Sequence, residues 1–194
     1  LGTAVDHYLT GDGAPTTDHL TLTAQGAISI AGVVGKVVPS QDGEITPTTD
    51  MLEQLIITQA TDVTFDQDIV IEGDLIINAT GTVTFGGNIS LSEGGDLRIL
   101  GAESVVFANA TTLTLTGTDA GVAGTIEIEA DEITFGQNAD GISGAGEVIL
   151  RQTTRTNNIA IGLTSEQAGQ LDITLDELNA FADGFSQYTI GHEA

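Results

Sequence analysis

The sequence predicts an all-β fold, a β-solenoid in which three short strands make one repeat of about 20 residues. Three observations predict it. Apolar-x-apolar triplets recur along almost the whole chain, glycine, asparagine and aspartate fill the gaps between them, and phenylalanine returns at one phase of the pattern.

The triplets open with Leu20-Thr21-Leu22 and Ile28-Ser29-Ile30. From residue 55 they come in sets. Leu55-Ile56-Ile57, Val63-Thr64-Phe65 and Ile69-Val70-Ile71 form one set, and Leu75-Ile76-Ile77, Val83-Thr84-Phe85 and Ile89-Ser90-Leu91 form the next. Leu97-Arg98-Ile99, Val105-Val106-Phe107 and Leu113-Thr114-Leu115 make a third. Ile126-Glu127-Ile128, Ile133-Thr134-Phe135, Val148-Ile149-Leu150 and Ile159-Ala160-Ile161 extend the series. A period of two is the mark of a strand with one buried face. Pairs such as Gly73-Asp74 and Gly94-Gly95-Asp96 carry turn chemistry.

Phe65, Phe85 and Phe107 are separated by 20 and 22 residues, and Phe135 follows after 28, where residues 116–125 lengthen a turn. In a coil whose strands pair with their counterparts one turn later, these four form an internal ladder. A β-sandwich also has short, evenly spaced strands, but it gives no reason for phenylalanine to recur at one phase. Seven or eight such turns stack to roughly 35 Å.

Residues 36–54 break the pattern with Pro39, Pro47 and Asp42-Gly43, and are expected to form a loop insertion in a repeat region spanning 1–158. Residues 159–194 form a second segment, a cap or a junction to a following unit. In it Thr174 and Glu177 have capping-box spacing. Leu175, Leu178 and Phe181 fall on one helical face and Gly184 ends the run, so a short helix is expected over 175–183.

Composition bounds the function. Hydrophobic residues are 40% of the chain and aromatics 4%, a thin core that suits a narrow coil. The 28 acidic against 4 basic residues give a formal charge of −24, which repels nucleic acid and anionic lipid. With no cysteine there is no disulfide or thiolate chemistry. No apolar run reaches membrane-spanning length, no signal peptide opens the chain, and a start at Leu1 is expected of a piece of something longer.

Site chemistry is thin. Asp66, Asp68, Asp74 and Asp96 are weak calcium candidates, because calcium wants several carboxylate oxygens. Known calcium-loop spacings are missing, however, and solvated turn residues are the plainer reading. Asp74 and Asp96 share a phase, so stacking sets two like charges close together. A polysaccharide-acting enzyme would need paired carboxylates and exposed aromatic platforms. Only Tyr8 and Tyr188 remain for that, while Lys36, Arg98, Arg151 and Arg155 are too few to grip an anionic sugar. His7, His19 and His192 share no ligand spacing. An ice-binding face would use Thr64, Thr84 and Thr134, but Val106 interrupts that column, and Arg98 and Glu127 spoil the neighbouring one. Asn78, Asn88 and Asn109 each head an Asn-x-Ser/Thr triplet and are possible glycosylation points. No catalytic residue and no required cofactor emerge.

The phrases at residues 20–30 (Leu-Thr-Leu-Thr-Ala-Gln-Gly-Ala-Ile-Ser-Ile) and 81–85 (Gly-Thr-Val-Thr-Phe) resemble repeats of filamentous-haemagglutinin-type large exoproteins and giant bacterial adhesins. The likeness covers most of residues 20–150. The stretch from Ile159-Ala160-Ile161-Gly162 to Tyr188-Thr189-Ile190-Gly191 resembles a second repeat type of such proteins. The resemblance implies a right-handed parallel β-helix, in keeping with the hand of parallel crossovers. It also implies a secreted or cell-surface role as stalk, spacer or filament subunit. Partners would then be copies of the chain or adjoining repeats end to end, or a host or neighbouring cell surface.

Overall fold

The computed structural model describes residues 19–35, 52–117, 123–136, 138–164 and 170–192. Most of residues 36–54, together with Tyr8, His7 and Lys36, lies outside them. The chain is mostly β, with parallel sheets and one short helix.

The strands are β1 (His19–Thr23), β2 (Ile28–Ile30), β3 (Gln54–Ala60), β4 (Val63–Phe65), β5 (Ile69–Ile71), β6 (Asp74–Ala79) and β7 (Thr82–Phe85). Then come β8 (Ile89–Leu91), β9 (Leu97–Phe107), β10 (Leu113–Leu115), β11 (Ile126–Thr134), β12 (Ile142–Ser143) and β13 (Glu147–Arg151). The chain closes with β14 (Asn158–Leu163), β15 (Gln170–Thr174), α1 (Leu175–Leu178) and β16 (Gln187–Ile190).

All pairings between these strands are parallel, and each joins a strand to one of like phase in the next repeat. The main sheet runs β1-β3-β6-β9-β11-β13-β16, with β2, β4 and β7 joined through the far half of β9. A second sheet runs β12-β10-β8-β5, and β14 pairs with β15 alone. The register is direct: Leu20, Leu55, Leu75, Leu97, Ile126, Val148 and Tyr188 face one another in turn. Inward positions are apolar and almost fully buried from Leu55 to Leu150, and the intervening positions are half-buried. The alternation read from the sequence is therefore the alternation of the pleat.

Three differences from the sequence reading have physical causes. Leu97–Ile99 and Val105–Phe107 belong to one strand, β9, because the bend between them at Gly101 (φ +78°) keeps Ala102 paired with Ala130. The helix covers only Leu175–Leu178, not 175–183. Its apolar face points the other way, with Leu175 and Leu178 exposed and Glu177 buried, and Phe181 leaves it to bridge Ile142 in parallel. The expected insertion also ends early, since buried Leu52 already receives the N–H of Glu72 and Gln54 begins β3.

Glycine is required where repeats touch backbone to backbone. Gly73, Gly95, Gly124 and Gly146 stack in one column, and a Cβ on Gly95 would run into the carbonyl of Gly73 below it. No side chain fits that approach.

Candidate functional site

The acidic residues of the turns are the most organised polar feature of the molecule. Asp62 Oδ1 accepts the backbone N–H of Thr82 at 2.8 Å, and Asp68 Oδ1 that of Asn88 at 2.8 Å. Asp74 Oδ1 accepts from Asp96 N at 2.9 Å, and Asp96 Oδ1 from Thr125 N at 2.7 Å. Asn88 Oδ1 accepts from Thr112 N at 2.9 Å, and Asp131 Oδ1 from Thr154 N at 2.6 Å. Each of these side chains, in a turn, at a strand end or, for Asp131, at the bend within β11, thus satisfies a donor in the repeat that follows. A turn must leave the strand ladder, and its N–H groups need partners from elsewhere.

This placement answers the expected clash of Asp74 with Asp96. Each carboxylate is aimed at a backbone N–H, and Asp74 Oδ2 also accepts from Gln54 Nε2 at 3.1 Å. Of the four calcium candidates, Asp68, Asp74 and Asp96 therefore spend an oxygen on backbone, and Asp66 is exposed. Among the described residues no three Asp, Glu or His side chains are gathered to hold a metal ion.

The flanks hold little chemistry. Glu127 receives Arg98 at 2.9 Å and Arg151 at 2.6 Å, one carboxylate between two guanidinium groups. Thr64, Thr84, Val106 and Thr134 stand in direct register, so the valine does interrupt the hydroxyl column. Asn88 is tied down through its side-chain oxygen, Asn78 is half-buried in β6, and Asn109 is exposed in a turn. A shallow hollow of about 350 Å³ is lined by His19, Glu53, Glu72, Asp74 and Glu93, with Gln54 and Gly73, and among the described residues no Phe or Tyr lines it.

The four ladder phenylalanines are buried, and their rings stack at centroid distances of 5.4, 5.0 and 5.4 Å. Phe181 then meets Phe135 edge-on at 4.9 Å, which ends the parallel stack.

At this end Glu177 is only 4% exposed. Its carboxylate accepts the N–H of Phe135 at 3.1 Å, the N–H of Thr174 at 2.9 Å and the Thr174 hydroxyl at 3.0 Å, while Thr174 Oγ1 accepts the N–H of Glu177. The capping box read from the sequence is formed, and it also fastens the helix onto the last phenylalanine of the ladder. Burial pushes the Glu177 carboxyl above its ordinary pKa, with buried Asp172 adding repulsion, while the hydrogen bonds pull it back in part.

Sequence reasoning passed over Asp131 and the burial of Glu177, and it weighed Asp62 only among the carboxylates open to calcium, not as a partner of the Thr82 N–H. Asp62 precedes Thr82 by the same 20 residues that separate Phe65 from Phe85, so the repeat offset was the available signal. No family model matches the chain, and no match was found among the curated proteins or the solved structures.

Proposed function

We propose that this chain is a segment of a right-handed parallel β-helix serving as stalk, spacer or filament subunit of a secreted or cell-surface fibre or adhesin. The observation that carries the reading is the direct one-repeat register from Leu20 to Tyr188, in which like residues follow like. The stacked phenylalanines support a closed interior, because a flat sheet would leave one face of that column in water. Right-handed winding follows from the general hand of parallel crossovers.

A stalk needs length, solubility and internal cohesion rather than a reactive site. Turn carboxylates bonded to backbone supply cohesion between repeats, and the charge of −24 keeps flanks apart in solution. The resemblance of residues 20–150 to exoprotein repeats points the same way. Electron microscopy of the intact source material tests it. Thin rods or filaments with an axial repeat of roughly 4.8 Å are expected. Compact particles turning over a polysaccharide would replace this reading with an enzymatic one.

A further inference from the structure

We infer that residues 170–182, made of β15, α1 and the turn that follows, form a clasp that closes on the last ring of the phenylalanine ladder and grips it more tightly in acid than at neutral pH.

The segment lies on the stack without joining its main ladder. β15 packs against β11, yet it pairs with β14 in a separate two-stranded sheet. The carboxylate of Glu177 reaches across instead. One oxygen takes the N–H of Phe135, just past the end of β11, and the other takes the N–H and the hydroxyl of Thr174, where β15 ends. A side chain thus does here what a strand carbonyl does elsewhere in the stack. Backbone bonding resumes beyond it, with Asn179 O and Ala180 O receiving the N–H groups of Asp140 and Ile142. Phe181 then closes edge-on over Phe135.

This joint also carries the buried charge. Among the described residues the charged side chains that are buried are Asp172 and Glu177, and both belong to this segment. They lie near enough to repel, and no cation is among the groups that act on Glu177. The surrounding elements bring no base. β14 has no charged residue, and the far half of β11 has Asp131 and Glu132. The turn bonded to Asn179 has exposed Asp140, and α1 itself adds exposed Asp176. Arg98 and Arg151 are engaged with Glu127. A buried carboxylate with no base beside it takes a proton more readily than one in water.

Burial and Asp172 oppose the charge on Glu177, the bonds from Thr174 and Phe135 favour it, and burial is the largest effect. The stability that the carboxyl supplies is therefore full below its unfolded pKa and is lost as pH rises through its raised folded one. A segment outside the ladder opens at a lower free energy than strands bonded on both sides. Losing the proton should thus loosen the clasp before it loosens the stack.

Hydrogen exchange on the full 194-residue chain, read amide by amide by NMR, tests this beside Glu177→Gln. Protection is compared near neutral pH and near the pKa of an ordinary glutamate, after correction for the intrinsic pH dependence of exchange. Glutamine keeps an acceptor for Phe135 and removes the titration. The amides of Phe135 and Thr174 are expected to open before that of Phe85, in the middle of the ladder. Their protection in the parent should rise severalfold in acid, and by more than it does in Glu177→Gln. Amides of Phe135 and Thr174 as well protected as that of Phe85 would show a segment that opens only with the whole chain. Protection in the parent that stays level or falls in acid would remove the proton from the closure, and an equal rise in the glutamine variant would assign it to another group. Each of these results overturns the inference.

Discussion

The side chain of Asp74 accepts the backbone N–H of Asp96, its counterpart 22 residues later, at 2.9 Å. Asp96 does the same for Thr125 at 2.7 Å. A column that looks like stacked repulsion in the sequence is a column of side chain–backbone bonds, and Asn88 fills the same role without charge.

The role of Asp74 therefore depends on an acceptor oxygen and not on charge. Asp74→Ala should lower stability by about 1 kcal/mol, and Asp74→Asn should stay close to the parent. Asp66→Ala, at an exposed turn position, should change little. Thermal melts of the three variants check the ranking.

What the sequence made legible was whatever the repeat offset repeats. Period two placed the strands, and the phenylalanine spacing placed the ladder, because both are written into neighbouring repeats. The turn bonds obey the same offset, yet aspartate is common on any surface and its partner is a backbone N–H with no letter of its own. The short helix misled for another reason. Leu175, Leu178 and Phe181 have helical spacing, but the buried carboxylate of Glu177, held by Phe135 and Thr174, turns the opposite face inward.

Phe85 stacks between Phe65 and Phe107 and is fully buried. Phe85→Ala should cost about 3–5 kcal/mol, and Phe85→Asp should abolish folding, since an unpaired buried charge costs several kcal/mol or more. Circular dichroism with urea titration reads both. An aspartate variant that melts like the parent would place this side chain outside the core.

The glycine column predicts a contrast between two chemically identical changes. Gly95→Ala drives a methyl group into the carbonyl of Gly73, whereas a Cβ on Gly26 meets nothing within 4 Å. Gly26→Ala should stay within about 0.5 kcal/mol of the parent, while Gly95→Ala should melt well below it.

Glu177 gives a pH dependence with a defined sign. Its carboxyl is raised by burial, so between the ordinary glutamate pKa and the raised one the folded chain holds more protons than the unfolded chain. Stability from this group is full below the unfolded pKa and is lost as pH rises through the folded one. Compared with Glu177→Gln, the parent should gain stability as pH falls from neutral towards that of an ordinary glutamate. Paired denaturation curves at the two pH values give the difference, and a parent that loses ground to the glutamine variant in acid would contradict it.

In a β-helix each repeat of sequence adds one strand spacing along the axis. The chain has no cysteine, so spin labels attach only where one is introduced. Outward positions Thr21, Ile56, Ile76, Arg98, Glu127, Ile149 and Thr189 lie in successive register. Double electron–electron resonance should give label separations near 24 Å for Thr21 with Ile149 and near 29 Å for Thr21 with Thr189, from ~4.8 Å per step. Separations that fail to lengthen between the two pairs, or fall far short of these spans, would mean that the repeats fold back on one another.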